Sequence, residues 1–450
     1  MIDLDFEEIK RIAYDEAKTL GLKDYELYYM QESSMSAEAL KDEISSFSSS
    51  VSGGVNFRCI VEGRMGYAST EMLAEKEIRS IVRRAAANAA VIESDNPVRI
   101  FEGSKKYESV NFPKFVMPEA SQLKDGVLEL QRATYACSEY VTEGTQSGMG
   151  AFKVKIGICN SCGLELENET GAGYSYVESV VKKEDETDSA GDFCDGIDKK
   201  DAAQLPEKAT KKAREKLGAS EIESGNYDVV FSGKCMSTLL SAFASVFSAK
   251  AAQCGLSLLR GKEGEKIASE CVTLTDDPMR NGAMMQTSFD GEGVATYRKN
   301  VIEKGVLKTL LYDLTTSAKE GKESTGNGQR GGYSSPIAIS PYNFYINAGN
   351  VCKESLFRAV SDGLYITSLK GLHAGVDPST GDFSLESAGF LIKGKEKGKA
   401  IKSFTIAGNF FDLLKRIEAL SDDVYFGLSA GFTVFGSPDV CVRGISVAGK

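Results

Sequence analysis

The sequence predicts an α+β protein, with helix-plus-antiparallel-sheet modules in its N-terminal half and a large, mostly-β C-terminal domain carrying short helices. Three observations lead there. Strand-like stretches of alternating apolar residues succeed one another across glycine-bearing turns, helical periodicity is confined to a few segments, and the regular β-α-β alternation of a parallel sheet is missing. At 450 residues the chain is long enough for two or three cores, and 45 glycines against 9 prolines fit many turns between strands.

The opening segment, Leu4 to Leu20, sets Phe6, Ile9, Ala13, Ala17 and Leu20 at helical spacing. The stretches YELYYMQES, SAEALKDEISSFS and GGVNFRCIVEGRMGYAST then alternate like an antiparallel meander. Thr70 reads as the N-cap of a second helix reaching about Ile92, with Glu71 and Glu75 in an acidic first turn. A connection from Ser94 to Pro118 leads into a second unit: a helix from Glu119 to Tyr140, strands through GAFKVKIGICNSCGLELENETGAGYSYVESVVKKEDETDSAG, and a helix from Lys199 to Leu217. The third part begins with a strand over Asp228–Ser232 and an apolar helix over Cys235–Gln253. Short strands and tight turns follow, with short helices near Asp313–Lys319, Glu354–Asp362 and Asn409–Ala419. The expected boundaries are 1–100, 101–222 and 223–450.

A formal net charge of −11, with no cluster of Lys and Arg interleaved with aromatics, disfavours direct nucleic-acid binding, which relies on neutralising phosphates. No apolar run approaches the roughly 18 to 20 residues that a membrane span needs. The acidic, amphipathic start lacks the basic and apolar regions of a signal peptide, so a cytoplasmic location is expected. Ten cysteines scattered through apolar contexts are expected to be reduced.

Several short motifs resemble active sites without their context. Cys159-Asn-Ser-Cys162 lies between two strand-like stretches and reads as a hairpin turn rather than half a zinc site. Gly326-Asn-Gly-Gln-Arg-Gly331 fits GxGxxG, but no helix can follow it through GYSSPIAISP, so a surface loop lining a groove is expected. Gly427-Leu-Ser-Ala-Gly431 fits GxSxG, yet the one histidine precedes it and no helix follows. That single histidine also excludes any HExxH or HExxxH site. Asp276, Asp277, Asp290 and Glu292 could act as paired acids or bind a hard cation, although carboxylates at such turns more often cap backbone amides. The segment GLHAGVDPSTGDFS gathers His373, Asp377 and Asp382 among glycines, and these three are the candidate binding residues for a groove or subunit contact.

Taken in order, the Asp276-Asp-Pro turn, Asp290-Gly-Glu-Gly293, the run GVLKTLLYDLTTSAKEGKESTGN and Gly381-Asp-Phe-Ser384 resemble the TldD/PmbA family, sometimes labelled modulators of DNA gyrase. One branch of that family carries HExxxH on a helix and is a zinc metallopeptidase; the PmbA or TldE branch lacks those ligands and pairs with it. Here the matching helix, CMSTLLSAFASVFSAKAAQ, holds neither His nor Glu. The resemblance therefore implies a non-catalytic, PmbA-like subunit with no cofactor of its own. Zinc is expected in a TldD-like HExxxH partner, and unfolded peptide is the expected substrate. The alternative is an independent peptide-binding or scaffold homodimer without peptidase activity.

Overall fold

The computed structural model describes residues 4–94, 96–110, 115–429 and 431–450. With 24% of the chain helical and 41% in strands, the class is α+β, as expected. Among the described residues no helix is long and apolar enough to cross a membrane.

Helix α1 (Phe6–Thr19) buries Phe6, Ile9, Ala13 and Ala17, and Asp5 caps it by accepting the Glu8 N–H at 2.9 Å. Strands β1 (Asp24–Leu40), β2 (Glu43–Val61) and β3 (Arg64–Thr70) form the meander, and α2 (Glu75–Val91) follows. Thr70 is not the cap of α2. Its backbone pairs with Val55 as the last residue of β3, and its Oγ1 accepts the Met72 N–H, so the helix starts only after this turn. Next come α3 (Ala120–Ala136), β4 (Gln146–Asn160), β5 (Glu165–Lys183), β6 (Glu186–Asp195), α4 (Lys199–Ala202) and α5 (Leu205–Arg214). The single helix expected over 199–217 is thus two pieces, with Pro206 in the first turn of α5, where a missing N–H costs nothing.

All six strands join one antiparallel sheet, ordered β3-β2-β1-β4-β5-β6. The two-residue period of β1 explains its burial on both faces. Tyr25, Leu27 and Tyr29 pack with α1 and α2, and Ala37 and Ala39 with α3 and α5. Tyr28 and Met30 point the other way and meet Phe289 of the C-terminal domain.

That domain contains β7 (Gly225–Phe231), α6 (Gly233–Phe243), a short 3-10 turn (Ala244–Phe247), α7 (Ala249–Gln253), β8 (Leu274–Asp276), β9 (Lys299–Glu303), β10 (Val306–Leu307), α8 (Leu314–Lys319) and β11 (Gly328–Gln329). It continues with β12 (Ala338–Ile339), β13 (Asn343–Ile346), α9 (Lys353–Val360), β14 (Gly363–Lys370), α10 (Leu372–Gly375), β15 (Val376–Asp377), β16 (Asp382–Lys393), β17 (Glu396–Asn409), α11 (Phe410–Lys415), β18 (Ile417–Phe426) and β19 (Val434–Ala448). Strand β19 pairs with both β17 and β7, so β7, β14, β16, β17 and β19 close into a ring.

Two expected helices are shorter than their apolar patterns. The helix over 235–253 is interrupted because Ser248 bridges to Leu311 in extended conformation, with Ala249 donating to the Leu311 carbonyl. The helix over 409–419 stops at Lys415 because Ile417 is claimed by pairing with Val442. Helix α6 nonetheless anchors the main core, its Phe243 ring stacked on Phe410 at 4.5 Å between centroids, both fully buried. Phe243→Ala should cost about 3–5 kcal/mol in urea denaturation, the range for truncating a buried aromatic.

Candidate functional site

Four side chains on the inner face of the first sheet start the site. Register sets Glu26 on β1 opposite Arg58 on β2, and Tyr28 opposite Asn56. All four are buried against the C-terminal domain. Arg58 Nη2 donates to Glu26 Oε2 at 2.9 Å, and its Nε lies 2.8 Å from Glu26 Oε1 as an ion contact without hydrogen-bond geometry.

From the other side the loop Asp290–Gly293 and the segment through β11 complete the cluster. Arg330 donates through Nη2 to Glu26 Oε1 at 2.9 Å, through Nε to the Gly291 carbonyl at 2.9 Å and through Nη1 to Asn56 Oδ1 at 3.3 Å. Its guanidinium lies 4.4 Å from the centroid of Tyr28. Glu292 accepts the Leu314 N–H at 2.8 Å and stands 3.7 Å from Arg58 Nη1. Asp290 accepts three backbone N–H groups, from Glu292, Val294 and Gly328. A Cβ on Gly328 would come within 2.7 Å of the Glu292 carboxylate, so the close approach demands glycine.

The GxGxxG segment is therefore not the surface loop that its composition suggests. Asn327, Gln329 and Arg330 are all buried because each finds partners: Asn327 donates to Asp276 Oδ2 at 2.8 Å and Gln329 to the Pro341 carbonyl at 2.8 Å. Asp276 also accepts from Lys299 and from the Tyr342 N–H, while Asp277 caps its own turn through the Met279 N–H.

Beside this cluster opens a cleft of about 1020 Å³, lined by Arg58, Glu292 and Arg330 at the cluster and by Arg64, Tyr67 and Tyr312 elsewhere. Burial pushes the Asp290 carboxyl up, and the neighbouring Glu292 adds to the shift. Burial likewise raises Glu292, against the pull of Arg58.

The candidates read from sequence lie elsewhere. His373 is exposed on α10. Asp377 is exposed, its Oδ1 accepting from the Ser379 N–H and hydroxyl, and Asp382 is exposed and accepts from Asn409. None of the three lines the cleft. Cys159 and Cys162 flank the β4–β5 turn, as the hairpin reading has it; burial raises the Cys159 thiol to about 12 and also raises Cys162, so neither is an activated thiolate. The GxSxG stretch falls partly outside the described residues. What sequence reasoning missed was Glu26, Asn56, Arg58 and Arg330, although a lone charge inside YELYYM and another inside VNFRCIV was the available signal.

Residues 224–449 match the PmbA/TldA metallopeptidase C-terminal domain, and residues 25–89 match domain 1 of the same group. The chain belongs to the PmbA/TldD metallopeptidase family. It is 24% identical over 409 residues to the metalloprotease PmbA homolog of Haemophilus influenzae, covering 87% of this chain and 86% of that one. A Thermotoga maritima protein described as a modulator of a DNA gyrase superposes with a TM-score of 0.88 at 27% identity, covering 99% and 100% of the two chains. TldE from Thermococcus kodakarensis shares the fold, with a TM-score of 0.89 at 24% identity over 98% and 99%.

A metallopeptidase description implies a metal ion, and the donors of this PmbA/TldD chain do not fit one. From Gly233 to Gln253 there is no His, Asp or Glu, and the one histidine is exposed on α10. Among the described residues no three His, Cys, Asp or Glu side chains gather into a metal-holding group.

Removing a partner from a buried ion cluster strands the remaining charge. Arg330→Met should cost about 3–5 kcal/mol in urea denaturation and should speed amide hydrogen exchange in β11. A pH effect follows with a definite sign. Asp290 and Glu292 bind protons more tightly folded than unfolded, so from the ordinary carboxylate range near pH 4 up to their raised folded values, stability falls as pH rises. Glu292→Gln should flatten that fall in denaturation midpoints measured between pH 5 and 8.

Proposed function

We propose that this chain is the non-catalytic, TldE-like subunit of a cytoplasmic peptidase complex, and that it helps a metal-bearing, HExxxH-containing partner hold unfolded peptide. The observation that carries this is membership of a metallopeptidase family combined with a donor set that does not fit a metal. In this reading zinc and hydrolysis belong to the partner. This chain contributes the cleft, whose exposed Tyr67 offers apolar surface and whose exposed Arg64 offers donors to peptide carbonyls. His373, Asp377 and Asp382, exposed at the far hairpin, are proposed for a subunit contact. The acidic balance of the chain supports peptide over nucleic acid as the bound polymer.

Loaded with zinc and freed of other proteins, the chain should leave a fluorogenic unfolded protein such as labelled casein intact. Mixed with an HExxxH paralogue from the same cells, it should raise that protein's hydrolysis rate at least about tenfold. Robust hydrolysis by the chain alone, abolished by a chelator, would overturn the reading.

A further inference from the structure

The charges on the wall of the cleft are unevenly paired. Its four carboxyl side chains are all engaged: Glu263 and Glu320 by Lys322, Asp313 by the Thr316 N–H at 2.7 Å, and Glu292 by the Leu314 N–H at 2.8 Å. Of its eight lysines and arginines, five have no such partner. Arg64, Arg99, Lys250, Arg260 and Lys319 are exposed, and among the described residues none of them forms an ion pair or a side-chain hydrogen bond. Arg99 stands 5.8 Å from the centroid of the Phe101 ring, which takes none of its N–H groups. The floor of the cleft repeats this surplus. Arg58 is only 7% exposed, yet among the described residues its Nη1 makes no hydrogen bond and has Glu292, 3.7 Å away, as its ionic neighbour. Glu26 is already shared between Arg58 and Arg330, and burial raises the Glu292 carboxyl above its ordinary range, so Glu292 is a poor counter-ion for a second guanidinium. A buried donor without an acceptor is costly, and an incoming acceptor recovers that cost.

We propose that the cleft takes an extended peptide rich in Asp and Glu, one carboxylate of which docks on Arg58 Nη1 while others meet the five free cations of the wall. The proposal rests on the reading of the cleft as a peptide site and names the class of peptide it selects. The spread of the cations decides between possible anions. Arg64 lies on β3, Arg99 in the connection after α2, Lys250 on α7, Arg260 in the loop that follows it, and Lys319 on α8. No single group reaches all of these elements, so a lone chain-terminal carboxylate leaves most of them unmet, whereas acidic side chains along a peptide supply several anions. A single-stranded nucleic acid also carries several, but it is held by aromatic platforms as well as cations, and the wall exposes one aromatic ring, Tyr67. The net charge of −11 opposes any anion at long range. That repulsion is screened beyond about 8 Å at physiological salt, and a cleft lined by one sign of charge concentrates its own field. Selection is therefore made inside the cleft, by the cations that line it.

Fluorescence anisotropy on the full chain tests this with rhodamine-labelled, amidated dodecapeptides of Gly-Ser-Glu and of Gly-Ser-Gln repeats. At ~50 mM salt the Glu peptide should bind at least about tenfold tighter than the Gln peptide, and the preference should collapse at ~500 mM salt. Arg64→Glu combined with Arg260→Glu should abolish the preference and leave the thermal unfolding midpoint unchanged, because both side chains are exposed. Arg58→Lys keeps a cation beside Glu26 but loses the fork of donors, and should cut the preference at least about threefold. The paired wall variant carries the test by itself where Arg58→Lys unsettles the seam. Equal affinity for the two peptides overturns the proposal and leaves the peptide reading of the cleft in place, as does a preference that survives the paired wall variant. Failure to bind either peptide overturns both. A Gln peptide with a free C-terminal carboxylate that matches the Glu peptide overturns the proposal in favour of a chain-end site. An oligothymidylate that outcompetes the Glu peptide overturns it in favour of nucleic acid.

Discussion

The buried contact of Arg330 with Glu26, shared with Arg58, is the constraint around which the two halves of the molecule are arranged. One carboxylate from the first sheet faces two guanidinium groups, one from its neighbouring strand and one from the C-terminal domain. Desolvating these charges is costly, and their mutual attraction recovers the cost only when the geometry is good and the remaining donors are paired. The donors of Arg330 meet that condition with Glu26, Gly291 and Asn56. Such a cluster contributes modest net stability, but it penalises every misaligned docking heavily. A shift of β1 by one residue would turn Glu26 toward the helices and set Leu27 against Arg330.

The turns that carry the family resemblance make sense as parts of this seam. The Asp290-Gly-Glu-Gly293 loop offers Gly291 as an acceptor to Arg330, Asp290 as a cap for three amides, and Glu292 as a second carboxyl near Arg58. The Ser324–Arg330 run threads Asn327 to Asp276 and Gly328 to Asp290 before delivering the guanidinium. Carboxylates that look like paired acids on paper are held by backbone N–H groups and by cations. No pair of them is left facing a common open space as general acid and base would be.

Much of the fold was legible because periodicity is a local property. The first meander, α1 and the Cys159–Cys162 turn follow from alternation and spacing within a few residues. At three helix boundaries a partner elsewhere in the chain had prior claim on the backbone: Val55 on Thr70, Leu311 on Ser248, Val442 on Ile417. The site was less legible for the same reason. Glu26, Arg58 and Arg330 are separated by tens to hundreds of residues, and only the register between strands brings them together. Composition also misled at Gly326–Gly331, where polar and glycine-rich residues mark a buried joint because every polar atom has a partner waiting.

The segment from Gly233 to Gln253 shows why the lack of metal donors is built into the core. Met236, Leu239, Leu240, Phe243, Val246 and Phe247 are essentially fully buried, and Phe243 is stacked on Phe410. A histidine or glutamate at any of these positions would have to be desolvated without a partner in place, and would vacate apolar volume that the core fills. Among the described residues no second carboxylate or thiolate cluster stands ready to complete a coordination sphere if one donor were supplied. A single substitution therefore cannot return this chain to metal chemistry; several core positions would have to change together. The seam depends on none of them, because its ion cluster is made from strands and loops outside α6 and α7. The cleft is thus framed by a seam that lies apart from the apolar helices of the core.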